Sequence, residues 1–405
     1  MGVRVRDGRG YASRGYSRDR VSAPASADRR CGRPITNVRC HRRRVWRTFH
    51  PDGRELRDVT IELAILGIVT LIVAIGLIPL ARHLGLRTGL IDRPRTGELQ
   101  RAPIARTGGY AIIGAFGVGA VLSLALIPRE DPDERLRLVG FAIGLVIVLV
   151  VAIADDRLRL GPMPQLAGQI VAAVVPAGFG LLMFDLSVPW IGLVELPFTI
   201  ALPVTIVWVV GMMNTVNWLD TMDGLAGGVA AIAALVLFAR SIALGQASVA
   251  ALPLCVAAAC LGFLLFNFHP ARVIMGSSGS WFLGYALAML AIVGGAKVAT
   301  ALMVLGLPII DTAIVIVQRV AAGRSPFKGG DSAHLVHKLA KRGWGVRQIV
   351  LVVYTACAIV GVFGLALSGP VKLVVFGLAL VAVTALAVLV AFRVRSGRRE
   401  SAANG

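Results

Sequence analysis

The sequence predicts an all-α integral membrane protein, a polytopic bundle of about 11 transmembrane helices joined by loops that carry its polar chemistry. Three observations support this fold class. Hydrophobic residues make up 56% of the 405-residue chain and charged residues only 16%, whereas soluble domains carry roughly a quarter charged residues. The mean hydropathy is +0.77. Apolar runs of about 20 residues, long enough to cross a bilayer, recur along most of the chain.

The apolar runs predict the position of each span. They lie at residues 61–81, 108–127, 138–154, 166–184, 197–213, 225–243, 248–266, 281–296, 298–318, 348–367 and 371–392. Only residues 294–297 separate the eighth run from the ninth, so these two runs could also form one span.

The chain divides into three predicted parts. Residues 1–58 contain 16 Arg, no Lys and six acidic residues without apolar periodicity, which predicts a basic, disordered extension. Such a tail could contact anionic lipid or nucleic acid, but we favour an unstructured extension or translated sequence upstream of the true start, and expect no nucleic-acid partner. Residues 59–393 form the predicted transmembrane domain, and residues 394–405 a cytoplasmic tail.

Charge predicts the orientation of the helices. If the predicted spans alternate, one set of loops carries 20 of the 26 Lys and Arg residues that follow residue 58. The positive-inside rule places that set in the cytoplasm. The loops of this set are residues 82–106, 155–165, 214–223, 267–280 and 319–347, together with the C-terminal tail.

The same cytoplasmic loops contain the sequence's clusters of Asp, Asn, His and Gly-Ser residues. A carrier would more often place such residues near the middle of the bilayer, in broken helices. Their position at one membrane surface instead favours an enzyme that joins a cytosolic substrate to a lipid. Polar residues at the edge of the hydrocarbon layer are costly, which makes them functional candidates.

Asp155 and Asp156 end the third predicted span. Adjacent carboxylates at a helix C-terminus face an unfavourable dipole and repel each other, so a cation or a bound proton should relieve them. One interpretation is a general base or a metal site. The alternative is a solvated helix end whose charge is relieved by Arg157 and Arg159.

Four polar residues follow the fifth predicted span at intervals of three: Asn214, Asn217, Asp220 and Asp223. This spacing predicts one stripe on a helix or helical turn. Oxygen ligands in such an arrangement suit Mg²⁺ together with phosphate. Asp223 could instead cap the next helix, with the following glycines allowing close packing, but capping does not explain the other three residues.

A Gly-Ser turn precedes the eighth predicted span. The backbone N–H groups of residues 276–279 could hold a phosphate, with Arg272 as a charged partner. The alternative is a tight turn in which Ser280 caps the helix. His269 stands before a proline, and we expect a structural role for it.

A basic loop before the tenth predicted span carries Arg324, Lys328, Asp331, His334 and His337. The two histidines are three apart and share a helix face, where imidazole could ligate a metal, bind phosphate or act as an acid. Zinc is weakly supported because the loop has no third soft ligand nearby. We therefore favour phosphate binding.

Five motifs in this order resemble the polyprenyl-phosphate N-acetylhexosamine-1-phosphate transferases: "ADDRLRLGP", "NTVNWLDTMDGLAGG", "FNFHPARVIMGSSGS", "LPIID" and "GRSPFKGGDSAHLVHKL". The resemblance covers roughly residues 60–365. It implies a multi-pass protein of the inner (plasma) membrane, with its active site facing the cytoplasm. It also implies Mg²⁺-dependent transfer of sugar 1-phosphate from a UDP-N-acetylhexosamine to undecaprenyl or decaprenyl phosphate, with release of UMP, and a possible homodimer. The histidine loop resembles the GlcNAc-1-phosphate branch rather than the peptidoglycan branch.

The resemblance also implies a role for individual residues. The catalytic residues it implies are Asp155, Asp156 and His334. The implied metal ligands are Asn217, Asp220 and Ser277. The implied substrate-binding residues are Asp92, Arg106, Asn214, Asp223, Arg272, Arg324 and His337.

One departure from the family pattern bears on the metal. The family usually has Asp where this chain has Ser277, and loss of an anionic ligand weakens a site for a hard cation. Either Asp220, Asp223 or Asp311 supplies the charge and the enzyme works with an altered site, or the protein is a catalytically weakened or inactive member that binds lipid phosphate or nucleotide-sugar. We favour the active enzyme because the other acids, asparagines and histidines are present.

Overall fold

The computed structural model describes residues 53–92, 103–129, 131–188, 192–293, 298–321, 323, 334–367, 371–372, 374–375 and 377–378. Most of the predicted N-terminal extension and the whole predicted C-terminal tail lie outside these residues. Residues 53–58, which the sequence assigned to the extension, form the start of the first helix.

Twelve helices occur in the described part of the chain. They are α1 (Gly53–Thr88), α2 (Gly108–Leu126), α3 (Pro132–Leu158), α4 (Pro162–Ala177), α5 (Phe198–Leu219), α6 (Leu225–Ala243), α7 (Ala247–Asn267), α8 (Gly276–Ile292), α9 (Val298–Val304), α10 (Gly306–Ala321), α11 (Leu335–Lys341) and α12 (Val346–Ala366).

Two small antiparallel sheets accompany the helices, and the sequence analysis did not predict them. Strand β1 (Ile91–Asp92) pairs with β2 (Ile104–Ala105), and β3 (Asp185–Val188) pairs with β4 (Gly192–Glu195). Each pair is too short to form a layer of its own. The fold is therefore a helical bundle with two local hairpins.

The prediction of a multi-pass helical membrane protein is confirmed, but the count of eleven spans is not. Seven helices among the described residues are long and apolar enough to cross a membrane, or eight if one bent pair is counted. Helices α4 and α8 have only 16 and 17 residues, less than the roughly 20 that a span needs. The last predicted span, 371–392, falls mainly outside the described residues.

The bent pair is α9 and α10, whose axes differ by 75°. The sequence predicted one continuous span here, at residues 298–318. Pro308 favours the break, because proline has no N–H to donate to the carbonyl four residues earlier, that of Val304, but it does not by itself set so large an angle. The bend places the start of α10 close to the end of α5.

Helix α8 is the centre of the bundle. Nearly all of its residues are buried, and it packs against α2, α3, α5, α6, α7 and α9. A helix that is apolar on every side is expected in such a position. Because the neighbours fix its axis, they also fix the position of its first turn, which begins at Gly276.

A buried ion pair lies at the start of α3. The Arg129 guanidinium donates to Glu134 Oε1 over 3.1 Å, and the two side chains are 3% and 11% exposed. Ser248, at the start of α7, donates to the other oxygen of Glu134 over 2.8 Å. This end of α3 is therefore tied to α7 by a carboxylate whose two oxygens both have partners.

Candidate functional site

Asp156, in the last turn of α3, is held by two other segments, the starts of α2 and α8. The backbone N–H groups of Ser277 and Ser278 donate to its two carboxylate oxygens over 3.1 and 3.3 Å. The Tyr110 hydroxyl donates to Oδ2 over 3.3 Å, and the Arg106 guanidinium lies 3.7 Å from Oδ1. The Asp156 side chain is only 3% exposed. This carboxylate is where α2, α3 and α8 meet.

Backbone pairing between two distant segments builds this meeting point. The Ile274 N–H donates to the Ala105 carbonyl, and the Gly108 N–H donates to the Ile274 carbonyl, both over 3.0 Å. A Cβ atom on Gly109 would lie 2.3 Å from the backbone nitrogen of Gly279. The first turns of α2 and α8 can approach this closely only because glycine has no side chain.

Asp155 and Asn214 face α4 rather than α8. Gln165 donates to Asp155 Oδ1 over 2.7 Å. The Asn214 amide donates to Gln169 over 2.7 Å and to its own helix at the Val210 carbonyl. The structure therefore does not bring these two predicted site residues into contact with Asp156, and they link α3 and α5 to α4.

Asn217 lies beside the same turn of α8 that binds Asp156. The Ser280 hydroxyl donates to Asn217 Oδ1 over 2.8 Å. Ser277, three residues earlier, is 8% exposed and donates its backbone N–H to Asp156. The first turn of α8 thus brings three of the predicted residues together: Asp156, Asn217 and Ser277.

Asp220 is the residue that follows α5, and its charge is strongly disfavoured. The pKa of the Asp220 carboxyl is raised to about 7: burial is the main cause, the Asp223 and Asp156 carboxylates also raise it, and Arg106 opposes the shift. Asp220 therefore lies within electrostatic range of both Asp156 and Arg106. Carboxylates grouped in this way favour the approach of a cation.

Asp223 binds the loop between α7 and α8. Its Oδ2 atom lies 2.7 Å from His269 Nδ1 and accepts the Ala271 N–H over 3.1 Å. The His269 carbonyl in turn accepts from the Arg347 guanidinium over 2.9 Å. The sequence analysis expected a structural role for His269, and these contacts are consistent with that expectation.

The remaining predicted substrate-binding residues are more dispersed. Arg272 is exposed, and its carbonyl accepts from Arg82 over 3.2 Å. Asp92 pairs with Ile104 in the first hairpin. Arg324 lies outside the described residues. Their roles stay predictions.

His334, directly before α11, pairs with Asp311 of α10. His334 Nδ1 and Asp311 Oδ2 are 2.7 Å apart, and the His334 side chain is 7% exposed. Both residues line a small cavity between α5 and α10. Two further wall residues, Leu219 and Thr221, flank Asp220 in the sequence. His334 is therefore adjacent to the segment that carries Asp220.

His337 lies one turn further along α11 and is partly buried. Burial lowers the pKa of its imidazole, and the nearby His334 and Lys341 lower it further. A lower pKa favours the neutral imidazole at neutral pH, which can accept a hydrogen bond or donate one.

The donors around Asp220 fit Mg²⁺ better than a transition metal. Among the described residues, no group of three or more His, Cys, Asp or Glu side chains is arranged to hold a metal, whereas structural zinc sites use four such ligands. Mg²⁺ is commonly held by only one or two carboxylates, with water and phosphate oxygens completing its shell. Asp156 and Asp220, whose carboxylates lie within electrostatic range of each other, and the Asn217 amide are the residues that could hold such an ion.

Sequence reasoning missed Tyr110, Gln165 and Gln169. Tyr110 carried a usable signal, because it begins a predicted helix at the polar membrane surface, directly after two glycines. The two glutamines carried none, since a glutamine inside an apolar run has no spacing that identifies its partner.

Comparison with known proteins gives consistent results. Residues 138–295 match the family model described as glycosyl transferase family 4. The chain is 32% identical over 306 residues to the "Probable undecaprenyl-phosphate N-acetylglucosaminyl 1-phosphate transferase" of Bacillus subtilis, covering 74% of this chain and 83% of that protein. It is 32% identical over 341 residues to the "Decaprenyl-phosphate N-acetylglucosaminephosphotransferase" of Mycobacterium tuberculosis, covering 76% and 82%. It is 29% identical over 331 residues to the "Phospho-N-acetylmuramoyl-pentapeptide-transferase" of Desulforudis audaxviator, covering 76% and 97%.

Proposed function

Because the chain belongs to glycosyl transferase family 4, a family of phosphosugar transferases, we propose that it transfers N-acetylhexosamine 1-phosphate, in particular GlcNAc 1-phosphate, from a UDP-sugar to polyprenyl phosphate. The reaction releases UMP, and its place is the start of cell-wall or surface-polysaccharide synthesis. The observation that carries the proposal is the position of Asp156, a buried carboxylate on which α2, α3 and α8 converge.

An apolar groove supports a lipid acceptor. It lies between α1, α2 and α3, and its walls include Leu84 and Ile153. Tyr110 and Arg157 also line it, and Tyr110 donates its hydroxyl to Asp156. A chain of isoprene units in this groove would place its phosphate beside Tyr110, within reach of Asp156.

A second group of residues near Asp156 supports a nucleotide-sugar donor. Asp220 and Asn217 provide oxygen ligands for Mg²⁺, which when bound would neutralise the donor's diphosphate and Asp220 itself. His334 lines the cavity beside Asp220, where an imidazole can hydrogen-bond a phosphate oxygen. The lipid acceptor and the nucleotide-sugar donor would thus be bound by different residues around Asp156.

The proposed chemistry is phosphoryl transfer governed by positioning. Asp156 accepts any proton that remains on the lipid phosphate, and that phosphate's oxygen then forms a bond to the phosphorus attached to the sugar. The bond from this phosphorus to the bridging oxygen breaks, and UMP leaves with the electron pair. Arg106, whose guanidinium is 39% exposed and 3.7 Å from Asp156, can bind the transferring phosphoryl oxygens.

An assay of UMP release tests this proposal. The full chain is reconstituted in liposomes and supplied with a panel of UDP-sugars, with polyprenyl phosphate and Mg²⁺ each added or left out. We expect UMP from a UDP-N-acetylhexosamine only when all three are present. Release that does not depend on the lipid phosphate, or no release with any UDP-sugar, would contradict the proposal.

Ser277 supports a second candidate, a weakened or inactive family member that binds its ligands without efficient turnover. The side chain at this position is a neutral hydroxyl beside Asp156, where the family pattern has a carboxylate. The Ser277→Asp variant separates the two candidates. If the native enzyme is impaired by the missing charge, this variant should release UMP faster and at a lower Mg²⁺ concentration. If the altered site is already competent, the variant should show no gain.

A further inference from the structure

The structure contains two Asp–His pairs of the same length and different surroundings. Both join His Nδ1 to an Asp Oδ2 atom over 2.7 Å. In the pair of Asp223 and His269, the side chains are 30% and 34% exposed. In the pair of Asp311 and His334, they are 19% and 7% exposed. Only the second pair lines the cavity beside Asp220.

Both oxygens of the Asp311 carboxylate are used. Oδ2 binds the His334 ring, and Oδ1 accepts the Leu335 backbone N–H over 2.9 Å. Asp311 lies on α10, after the bend, and the two groups that it binds lie at the start of α11. The carboxylate therefore fixes the backbone that carries His334 as well as the orientation of the ring.

This contact selects one form of the imidazole ring. An ionised carboxylate only accepts hydrogen bonds, so the His334 Nδ1 atom must carry a proton to bind it. In the neutral ring, Nε2 is then the nitrogen without a proton, and it is the nitrogen left for another partner. The Asp311 contact therefore decides which ring nitrogen is available to a substrate.

Other charged groups surround the pair and would act on the same ring. His337 and Lys341 lie on α11 with His334. Arg319 lies on α10 with Asp311, and its guanidinium carbon is 5.5 Å from the centre of the Trp218 ring, which is part of the cavity wall. The carboxylate of Asp311 is the group among these that touches the ring.

We propose that Asp311 is a positioning residue of the transferase site: it holds the His334 ring by its Nδ1–H, so that Nε2 faces the donor and, in the doubly protonated ring, donates its N–H to the donor's phosphates. The catalytic part of this inference rests on the proposed function, whereas the selection of the ring form does not. The Asp311→Asn variant cannot keep both hydrogen bonds of Asp311, because an amide has only one acceptor atom. The ring and the Leu335 N–H then compete for it, and the amide NH₂ favours a ring that is unprotonated at Nδ1.

Nitrogen NMR of the histidine rings tests the selection of the ring form without any assay of activity. The full chain, labelled with ¹⁵N only in its six histidines, is measured in detergent, and the His334→Gln variant assigns the His334 signals. We expect the native ring to be protonated at Nδ1 and the neutral ring to change form in Asp311→Asn. Asp223→Asn is the matched control, because it should alter the His269 signals and leave those of His334 unchanged.

Kinetics test the catalytic part. With UDP-GlcNAc as donor, Asp311→Asn should lower kcat by about 100-fold, change the KM for UDP-GlcNAc much less, and alter the pH profile of kcat. The Asp311→Glu variant keeps a carboxylate and should recover part of the loss. A merely structural role would instead lower the amount of folded protein and leave the pH profile of the folded fraction unchanged.

The outcomes separate the two proposals. A native neutral His334 ring that carries its proton on Nε2 rather than Nδ1, or a neutral ring form that is the same in Asp311→Asn, overturns the inference even if the variant enzymes fold poorly. A normal kcat in Asp311→Asn also overturns it. If the ring form changes as expected but the native protein releases no UMP from any UDP-sugar, the proposed function fails and the selection of the ring form by Asp311 stands.

Discussion

Each end of α3 holds a nearly buried carboxylate, and the two carboxylates have different binding partners. Glu134, in the first turn, binds Arg129 over 3.1 Å and Ser248 over 2.8 Å. Asp156, in the last turn, receives two backbone N–H groups and a tyrosine hydroxyl, and its nearest guanidinium is 3.7 Å away. One carboxylate has a close ionic partner, and the other has mainly neutral donors.

The helix dipole increases this difference. A negative charge is stabilised at a helix N-terminus, where Glu134 lies, and destabilised at a C-terminus, where Asp156 lies. The fold therefore uses Glu134 to hold helices together. It leaves Asp156 as a charge that can attract a cation or accept a proton from a phosphate. Removing the Glu134 carboxylate should therefore lower stability more than activity, and removing the Asp156 carboxylate should lower activity more than stability.

The largest expected effect is the loss of activity in Asp156→Asn. An amide has no charge and cannot take a proton from the lipid phosphate, so UMP release should fall by about 10²–10⁴-fold. The thermal unfolding midpoint in detergent should change little, because the amide can still accept one of the N–H groups. Activity within a few-fold of the native value would show that Asp156 is not catalytic.

Glu134→Gln should show the reverse pattern. It leaves the Arg129 charge buried without an ionic partner, which costs roughly 3 kcal/mol of stability and should lower the unfolding midpoint by several degrees. UMP release by the folded fraction should stay near the native rate. Asp133→Asn, an exposed acid in the same turn, is the matched control and should leave the midpoint unchanged.

The pH dependence of stability sharpens the comparison at the Asp156 end of α3, near which Asp220 lies. The pKa of the Asp220 carboxyl is about 7 in the folded state, against 3.8 for an ordinary Asp. Between these values the folded state binds more protons than the unfolded state, so the unfolding midpoint measured without Mg²⁺ should fall as the pH rises from 4 to 7. The Asp220→Asn variant should have a shallower slope. An unchanged slope would show that the charge of Asp220 is not destabilised in the folded state.

The smallest expected effect is that of Asp155→Asn. Asp155 binds Gln165 on α4, and an amide can keep that contact with little rearrangement. UMP release should fall less than about tenfold, well below the 10²–10⁴-fold expected of a general base. If Asp155→Asn were as inactive as Asp156→Asn, the two neighbours would share one function and the assignment to Asp156 alone would be wrong.

The sequence predicted the polar ends of the helices better than the contacts made there. Apolar runs show where a helix reaches the membrane surface, so Asp156, Asn217 and Ser277 were placed at one end of the bundle and lie together in the structure. The three-residue spacing from Asn214 to Asp223 predicted one stripe, but α5 ends at Leu219. Because a stripe exists only within a helix, Asp220 and Asp223 do not continue it, and Asp223 binds His269 and Ala271 instead.

The remaining differences depend on packing between distant segments. A continuous apolar run gave no sign that α9 and α10 differ in direction by 75°, since Pro308 alone is compatible with a modest kink. Asn214 looked equivalent to Asn217, and only the position of α4 shows that its amide binds Gln169. Such contacts follow from how the helices are arranged around α8, which no local pattern encodes.

The structure of the full chain with Mg²⁺ and a UDP-N-acetylhexosamine bound, determined by electron cryo-microscopy in lipid nanodiscs, tests the central claim most directly. The claim is that the C-terminal ends of α3 and α5 and the starts of α8 and α11 form one phosphoryl-transfer site. We expect the donor's diphosphate between Asp156, Asp220 and His334, with Mg²⁺ bound by Asp220 at about 2.1 Å. Nucleotide bound elsewhere, with no metal or phosphate near Asp156, would contradict it.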